Sequence, residues 1–247
     1  MGMLACLGIK GVSVYQQPKI AIISIGDELV DYDQPLGPGK IRNSNSFTLA
    51  GYCREMGLEP TIMATAQDKV KDVASLIDQG LKQSDLIITT GGASVGDYDV
   101  TSRALEAIQA QILYHGIEIK PGSPSLAAVK DGKIILGLSG NPAASAIVFQ
   151  LLAVPLIKKM TGHAEYLPHK IKVILKNEYK KLSTTRRFLR GKLNLDYGMT
   201  LFEFTGEQGN GILSSLISSN VLAEIPPGTK HVMTGEQLDA YLINFKS

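Results

Sequence analysis

An apolar strand that runs directly into a glycine-rich turn and then a helix constrains the fold of this chain more than any other feature. The strand is predicted at Asp85–Ile88, the turn occupies Thr89–Asp99 with three glycines in eleven residues, and the helix begins near Val100. The glycines let the backbone turn sharply and bring its N–H groups against an anion. The polar side chains of the turn are the hydroxyls of Thr89, Thr90 and Ser94 and the carboxylates of Asp97 and Asp99. Hydroxyls and amides beside acids that can hold a divalent cation predict a phosphate-handling site.

Strands and helices alternate along the first two thirds of the chain. Lys19–Ser24 is almost wholly apolar, as a strand buried on both faces must be. A second strand is predicted at Thr61–Thr65, and a third at Leu86–Thr90 is the strand that leads into the glycine-rich turn. Asp131–Gly132 between two apolar runs predicts a hairpin. The helix signals are the N-cap candidates of Asn43–Ser46, Asp68 as an N-cap, and Pro142 in the first turn of a long apolar helix that ends near Met160. The alternation predicts a mainly parallel α/β sheet with one hairpin near an edge.

Three polar turns fall where ligands gather in such a sheet, beyond the carboxyl ends of the strands. They are Gly26–Leu29, Thr90–Gly92 and Gly140–Pro142. Lys120-Pro-Gly-Ser-Pro124 adds a rigid backbone with one cation, which suits a phosphate or another oxyanion.

After Gly162 the pattern changes to short alternating runs with a turn every eight to twelve residues, which predicts a small β-barrel domain. We expect three parts: a linker remnant at 1–17, the α/β domain at 18–165 and the barrel at 166–247. Between Lys170 and Lys192 there are nine Lys or Arg residues and one acid, Glu178. This run predicts either a solvated face of the barrel or a surface that attracts an anionic ligand or partner.

The composition fits a soluble protein of one or two domains, with 247 residues, 44% hydrophobic residues and a formal charge of +2. This charge gives no reason to expect nucleic acid or a membrane as a partner. The longest apolar stretch, Ala146–Ile157, is interrupted by Gln150 and is predicted to be a buried helix rather than a span of ~18 residues. Cys6 and Cys53 predict neither a disulfide framework nor a zinc site, so we expect a cytoplasmic protein.

Structural interpretations compete with the functional ones at each candidate position. The aspartates of the glycine-rich turn can cap the next helix, although a cap needs only one of them. Glu28 can solvate its turn, Asp68 can act only as an N-cap, and Lys120 can belong to a proline-rich turn. His115 has no partner visible in sequence, and a structural role is expected for it. No Ser-His-Asp arrangement, activated cysteine, dinucleotide fingerprint or P-loop is present.

Taken in order, these motifs resemble the MoeA-type molybdopterin molybdenumtransferases and the related E domain of gephyrin. The matching segments are Ser24–Leu29, Pro35–Gly39, Asn43–Asn45, Thr90–Asp99, Lys120–Gly122, Gly140–Pro142, Phe188–Gly191 and Gln208–Ser215. The resemblance covers nearly the whole chain and implies a three-layer, MogA-like α/β domain followed by a small C-terminal β-barrel. It also implies insertion of molybdate into adenylylated molybdopterin with release of AMP, a Mg²⁺ ion, a homodimer and a molybdopterin adenylyltransferase as a partner.

The resemblance implies the roles of individual residues as well. The catalytic positions are Glu28, Asp68, Asp99 and Lys120, and the three carboxylates of this set are also the expected metal ligands. The expected substrate-binding residues are Asn43, Ser44, Asn45, Thr90, Gly91, Gly92, Ser94, Gly96, Asp97, Gly122, Gly140, Asn141 and Pro142. Lys120 would offset the charge of molybdate or pyrophosphate, and the carboxylates would hold Mg²⁺ near the phosphates.

The chain departs from this pattern in four ways. Ser123, Ser139 and Asn210 stand where the family commonly has lysine, proline and serine, and the Ser123 change removes one anion contact. Family members also carry two further N-terminal domains, so residues 1–17 are expected to be the exit from that region. These departures leave two alternatives open. One is a non-catalytic molybdopterin-binding or scaffold module, and the other, weaker one is a molybdopterin adenylyltransferase, against which the predicted barrel argues.

Overall fold

The computed structural model of the chain describes residues 1–92 and 99–243, which form two six-stranded sheets and a small two-stranded one. The helices are α1 Gly2–Cys6, α2 Asn45–Glu55, α3 Val70–Gln83, α4 Val100–Ala107, α5 Pro142–Val148 and α6 Val154–Met160, with a π-helical segment Phe149–Ala153 between the last two and a 3₁₀ turn at Leu213–Leu216. The strands are β1 Ile20–Ser24, β2 Leu29–Val30, β3 Ile41–Arg42, β4 Thr61–Ile62, β5 Leu86–Thr90, β6 Gln111–His115, β7 Ile119–Lys120, β8 Leu126–Lys130, β9 Lys133–Leu138, β10 Lys170–Leu175, β11 Arg186–Asp196, β12 Met199–Phe204, β13 Val221–Ile225 and β14 Gln237–Leu242.

The first sheet has the order β4-β1-β5-β9-β8-β6, and its first four strands are parallel. Along β1, Ile20 and Ile22 pack into one apolar cluster, whereas Ala21 and Ile23 pack into another on the opposite face. A strand with both faces buried has helices on both sides, which confirms the three-layer α/β prediction. The predicted hairpin is also present, because β8 and β9 pair antiparallel across Asp131 and Gly132, both at positive φ.

One long helical segment connects the two domains. Pro142 is its first residue, as predicted, and Pro142–Met160 is long and apolar enough to cross a membrane by length and composition. Two thirds of it (67%) is buried, and Ala146 and Ile147 pack against Phe188 and Leu222 of the barrel. The segment is therefore a core helix, and its apolar side chains are buried between the two sheets.

The second sheet closes into a barrel. Strand β12 pairs with both β10 and β11, so the order β12-β10-β14-β13-β11 returns on itself, which confirms the predicted C-terminal barrel. The long β11 makes closure possible because it pairs with β13 over Arg187–Gly191 and with β12 over Gly191–Asp196. A sixth strand, β7, comes from the α/β part of the chain and adds in parallel to β11. No helix or strand crosses 161–169, where the domain boundary is predicted.

Two local predictions are wrong. The strand expected at Thr61–Thr65 is only two residues long, because just Thr61 and Ile62 pair with β1. Asp68 does not cap α3, whose N-cap is Lys69 without a side-chain hydrogen bond. The Asp68 carboxylate instead accepts from the backbone N–H of Asp27, on the turn after β1.

Candidate functional site

Three turns meet at one edge of the parallel sheet. Strands β1, β5 and β9 lie side by side in the same direction, so the turns that follow them share the carboxyl edge. These turns line a common pocket together with the start of α2. Its lining includes eight of the residues expected at the site, namely Glu28, Asn43, Ser44, Asn45, Thr90, Gly91, Gly140 and Pro142, as well as the unpredicted Arg42. The fold therefore assembles residues that are more than 100 positions apart in the sequence.

Asn45, at the start of α2, links two of the three turns by hydrogen bonds, those that follow β5 and β9. Its side-chain amide donates to Thr90 Oγ1 and to the Gly140 carbonyl, both at 2.8 Å. Thr90 Oγ1 in turn donates to the Ser139 carbonyl at 3.1 Å. The amide of Asn45 and the hydroxyl of Thr90 are thus engaged with the protein itself, and they fix the shape of the pocket.

Asn43 has a similar internal role beneath the pocket. Its side chain is buried and forms a closed set of hydrogen bonds with Ser24 and Ser46, whose hydroxyls lie 2.6 Å apart. The side-chain Oδ1 of Asn43 also accepts from the Ser46 backbone N–H. Ser44 is the N-cap of α2 but makes no side-chain cap hydrogen bond. Of the expected Asn43–Asn45 triplet, then, the two asparagines are committed to positioning α2 against β1 and β5.

Gly91 is required by contact with the neighbouring strand. Its φ is +87°, and a Cβ placed on it would lie 2.1 Å from the Ile25 carbonyl oxygen. The same turn approaches the β9 turn, since a Cβ on Gly140 would lie 3.4 Å from the Gly91 Cα. Gly92 is also at positive φ, with a hypothetical Cβ 2.8 Å from Thr101 Oγ1. The glycines allow three backbone segments to pack closely at one edge of the sheet.

The exposed carboxylates lie beside the pocket. Glu28 folds back over its own turn, since a Cβ on Gly26 would lie 2.7 Å from its carboxylate oxygens. Asp68 is held next to this turn by a reciprocal pair of hydrogen bonds in which each of Asp27 and Asp68 accepts from the backbone N–H of the other, both at 3.1 Å. Two exposed carboxylates are a donor set of the kind that Mg²⁺ uses together with phosphates and water.

Asp99, which is an expected metal ligand in the glycine-rich turn, is not exposed. It is 3% exposed, and its Oδ1 caps α4 by accepting from the Ser102 N–H at 3.0 Å. Its Oδ2 lies 2.6 Å from Nε2 of His115. The two atoms are within ion-pair distance, but their alignment is not that of a hydrogen bond. Asp99 therefore caps α4, as its structural interpretation predicts. His115, for which a structural role is expected, has this carboxylate as its partner.

Within the described residues, no three His, Cys, Asp or Glu side chains come together as a ready-made metal site. Glu28 and Asp68 nevertheless fit Mg²⁺ as two exposed carboxylates. Asp99 fits less well, because one of its oxygens caps a helix and the other contacts His115. The metal assignment therefore stays a prediction that rests on Glu28 and Asp68.

Lys120 and Gly122 are not among the lining residues of the pocket, and Lys120 belongs to β7, which joins the barrel sheet. Lys120 is exposed at the end of β7, and its peptide bond to Pro121 is cis. Gly122 is buried at φ +106°, and a Cβ on it would lie 2.2 Å from a methyl group of Val148 on α5. Gly122 is accordingly a packing residue. Asn141, the N-cap of α5, is exposed and makes no side-chain cap hydrogen bond.

Three expected substrate-binding residues, Ser94, Gly96 and Asp97, lie outside the described residues. At the edge of that stretch, the Thr89 hydroxyl is buried and has no hydrogen-bond partner in the described part of the chain.

Sequence reasoning missed Lys40 and Arg42, which hold the loop between β2 and β3. Lys40 Nζ donates to the Asp27 carbonyl at 2.5 Å, and Arg42 Nε donates to the Tyr32 carbonyl at 3.0 Å. Arg42 directly precedes Asn43 in the sequence, and this position next to an expected site residue was the signal that could have identified it.

Desolvation shifts the pKa values of several side chains, including two on the barrel and one on α2. Burial lowers the pKa of Arg190 to about 10, because its guanidinium is fully buried and, among the described residues, only its Nη2 finds acceptors, the carbonyls of Glu207 and Gly209. Burial also raises the pKa of the Tyr179 phenol. On α2, burial raises the pKa of the Cys53 thiol to about 12.

These features define a class of protein: a MogA/MoeA-like α/β domain with a polar pocket at its carboxyl edge, followed by a closed β-barrel. The model of the family described as "probable molybdopterin binding domain" matches residues 21–159, and that of the "MoeA C-terminal region (domain IV)" matches residues 172–243. The chain therefore belongs to the molybdopterin-binding domain family, in the MoeA-type arrangement with the second domain after the first.

Relatives and solved structures agree with this assignment. The chain is 34% identical over 242 residues to the molybdopterin molybdenumtransferase of Staphylococcus aureus strain MRSA252, covering 98% of this chain and 58% of that protein. It is 33% identical over 248 residues to the enzyme of the same name from Staphylococcus epidermidis strain ATCC 12228, at 100% and 59% coverage. The crystal structure of the molybdopterin biosynthesis MoeA protein from Pyrococcus horikoshii matches with a TM-score of 0.82 and 31% identity over 100% of this chain and 59% of that one. The chain thus spans somewhat less than three fifths of the length of these relatives.

Proposed function

We propose that this chain acts in molybdenum cofactor biosynthesis, in the insertion of molybdate into adenylylated molybdopterin with release of AMP. The observation that carries the proposal is the pocket at the carboxyl edge, which three turns line and in which Asn45 links two of them, in a chain of the molybdopterin-binding family. The names of the relatives, molybdopterin molybdenumtransferases, support the same reaction.

The proposed chemistry divides the roles among exposed groups. Backbone N–H groups of the turns would contact an oxyanion, and Arg42 would add a positive charge on the pocket wall. Glu28 and Asp68 would hold Mg²⁺, which when bound supplies charge neutralisation for the phosphates of the substrate. Lys120 would offset the charge of molybdate or of the departing phosphate.

Other properties belong to the proposal as well. We propose a cytoplasmic protein that assembles as a homodimer and receives adenylylated molybdopterin from a molybdopterin adenylyltransferase. Nucleic acid and membrane are not expected as partners. In the basic run of the barrel, Lys170 and Lys172 pair with Asp239, which favours a solvated face there.

The test is a reconstitution of the reaction with purified chain, adenylylated molybdopterin, molybdate and Mg²⁺. We expect AMP release that depends on molybdate and falls at least tenfold in Glu28→Gln and Asp68→Asn, because each removes a charge from the proposed metal site. Asp72→Asn on α3 is the matched control, with unchanged activity. If AMP release is independent of molybdate, or if both site variants keep full activity, the assignment is wrong.

A second candidate is a molybdopterin-binding or scaffold module without catalysis. The observation that favours it is the engagement of Asn43, Asn45 and Thr90 with the protein itself. Calorimetry with molybdopterin separates the two: binding without AMP release from the adenylylated form supports the scaffold. The adenylyltransferase alternative requires ATP-dependent adenylylation of molybdopterin by this chain, and the MoeA C-terminal region argues against it.

A further inference from the structure

Two cationic residues, Lys120 and Arg187, are neighbours on adjacent strands at the junction of the two domains. In the parallel pairing of β7 with β11, Lys120 is aligned with Arg187 and Ile119 with Arg186. Aligned residues of neighbouring strands point to the same face of a sheet, so Lys120 and Arg187 share one face. The alternation along β11 identifies that face: Leu189, two residues after Arg187, lies in the barrel core, whereas Phe188 packs against the α/β domain.

Nothing in the described part of the chain offsets these two charges. Four other basic residues of the same segment, Lys170, Lys172, Lys176 and Lys180, form ion pairs with acids, and so does Arg186 with Glu224 at 2.9 Å. Among the described residues, neither Lys120 nor Arg187 has a carboxylate within 4.0 Å. Like charges that are directly opposite on neighbouring strands repel, so the arrangement costs stability unless an anion joins it.

One hydrogen bond orients the guanidinium of Arg187. Arg187 Nε donates to Ser183 Oγ at 3.4 Å, which leaves its two terminal amino groups without hydrogen-bond partners in the described residues. These two amino groups are therefore available to an anion.

We propose that Arg187 and Lys120 together bind a doubly charged oxyanion at the domain junction. Planar guanidinium and mobile ammonium groups are complementary for this purpose, since the first gives two parallel N–H donors and the second a compact charge. The inference rests on the proposed function for its assignment of Lys120 to the substrate site, and it adds Arg187 as a residue that binds the same substrate. The oxyanion is either molybdate or a phosphate group of the adenylylated pterin.

The experiment is calorimetric titration of the purified chain at low ionic strength with sodium molybdate and, separately, with pyrophosphate and AMP. The anion that the wild-type chain binds identifies the source of the oxyanion. We expect Arg187→Gln, which keeps most of the aliphatic stem, to weaken that binding roughly tenfold, as for the loss of one charge-assisted hydrogen bond. Arg187→Lys should retain binding within about threefold because it keeps the charge.

Two controls make the result specific. Arg186→Gln changes the neighbouring arginine on the opposite face and should leave the affinity unchanged. The double variant Lys120→Ala/Arg187→Gln should lose less than the product of the single losses, since both side chains bind one anion. Thermal unfolding of each variant verifies that it is folded.

The outcomes also separate this inference from the proposed function. Absence of oxyanion binding by the wild-type chain, or equal affinities of wild type and Arg187→Gln, overturns the two-cation site. Binding that depends on Arg187 in a chain that does not release AMP leaves the site standing and rejects the proposed reaction.

Discussion

Asp99 Oδ2 lies 2.6 Å from Nε2 of His115, while Oδ1 of the same carboxylate accepts from the Ser102 N–H at 3.0 Å. One buried carboxylate thereby connects the first turn of α4 with strand β6. The end of the glycine-rich turn is thus fixed by the protein before any ligand is bound.

We expect Asp99→Ala to lower the free energy of unfolding by about 2–3 kcal/mol, because it removes a helix cap and leaves the imidazole of His115 without its partner. Asp99→Asn keeps an oxygen that can cap α4 and should cost only about 1 kcal/mol. Urea unfolding followed by circular dichroism measures both. Equal stability of the alanine variant and the wild type would contradict the dual role of the carboxylate.

Asn45 should be the most sensitive asparagine of the pocket. Asn45→Ala leaves Thr90 Oγ1 and the Gly140 carbonyl without their 2.8 Å donor, and we expect a loss of about 1–3 kcal/mol. Asn141→Ala, on the neighbouring turn, is the matched control and should stay within about 0.5 kcal/mol, since Asn141 makes no side-chain cap hydrogen bond. Indistinguishable unfolding midpoints for the two variants would reject the proposed link between the turns.

Two glycines should respond in opposite directions to the same substitution. Gly91→Ala places a Cβ 2.1 Å from the Ile25 carbonyl oxygen at positive φ, and we expect a loss of more than about 3 kcal/mol or an insoluble protein. Gly51→Ala, within α2, has no atom within 4 Å of the new Cβ and should stabilise by about 0.5–1 kcal/mol. Melting temperatures report both signs, and a neutral Gly91→Ala would show that the turn can move away from β1.

The two cysteines should differ in reactivity. Cys6 is exposed, whereas burial raises the pKa of the Cys53 thiol to about 12. At pH 8 we expect iodoacetamide to modify Cys6 rapidly and Cys53 only after denaturation, because the thiolate is the reactive species. Peptide mass spectrometry of the alkylated protein distinguishes the two sites, and prompt labelling of native Cys53 would contradict its burial.

Cys53 also predicts a pH dependence of stability. In the unfolded chain the thiol ionises near pH 9, but in the folded protein near pH 12. The folded state therefore holds a proton that the unfolded state releases, so the contribution of the neutral buried thiol is complete below about pH 9 and decreases as the pH rises towards 12. Cys53→Ala should show a shallower loss of stability over this window, whereas Cys6→Ala should follow the wild type.

Sequence patterns predicted the architecture because they follow from local chemistry. The apolar run Lys19–Ser24, the Asp131–Gly132 turn and Pro142 at a helix start each carry a signal within a few residues, and the structure has the strand, the hairpin and the helix at those places. The predicted N-cap at Asp68 is wrong because a capping residue can also bond to another segment, here Asp27, and sequence spacing does not record that competitor.

Sequence patterns were sufficient to predict the order of the α/β domain and the barrel, the family and the set of polar residues from which a site is built. Which of these residues are available to a ligand became visible in the folded chain. In the sequence, nothing distinguishes Asn43, Asn45 and Asp99 from residues that are free to bind a ligand. In the structure, their polar atoms contact Ser46, Thr90 and His115. Conversely, Arg187 becomes a neighbour of Lys120 only through the pairing of β7 with β11. Burial, hydrogen-bond partners and charge separation depend on distances through space, and those distances are set by how the strands pack.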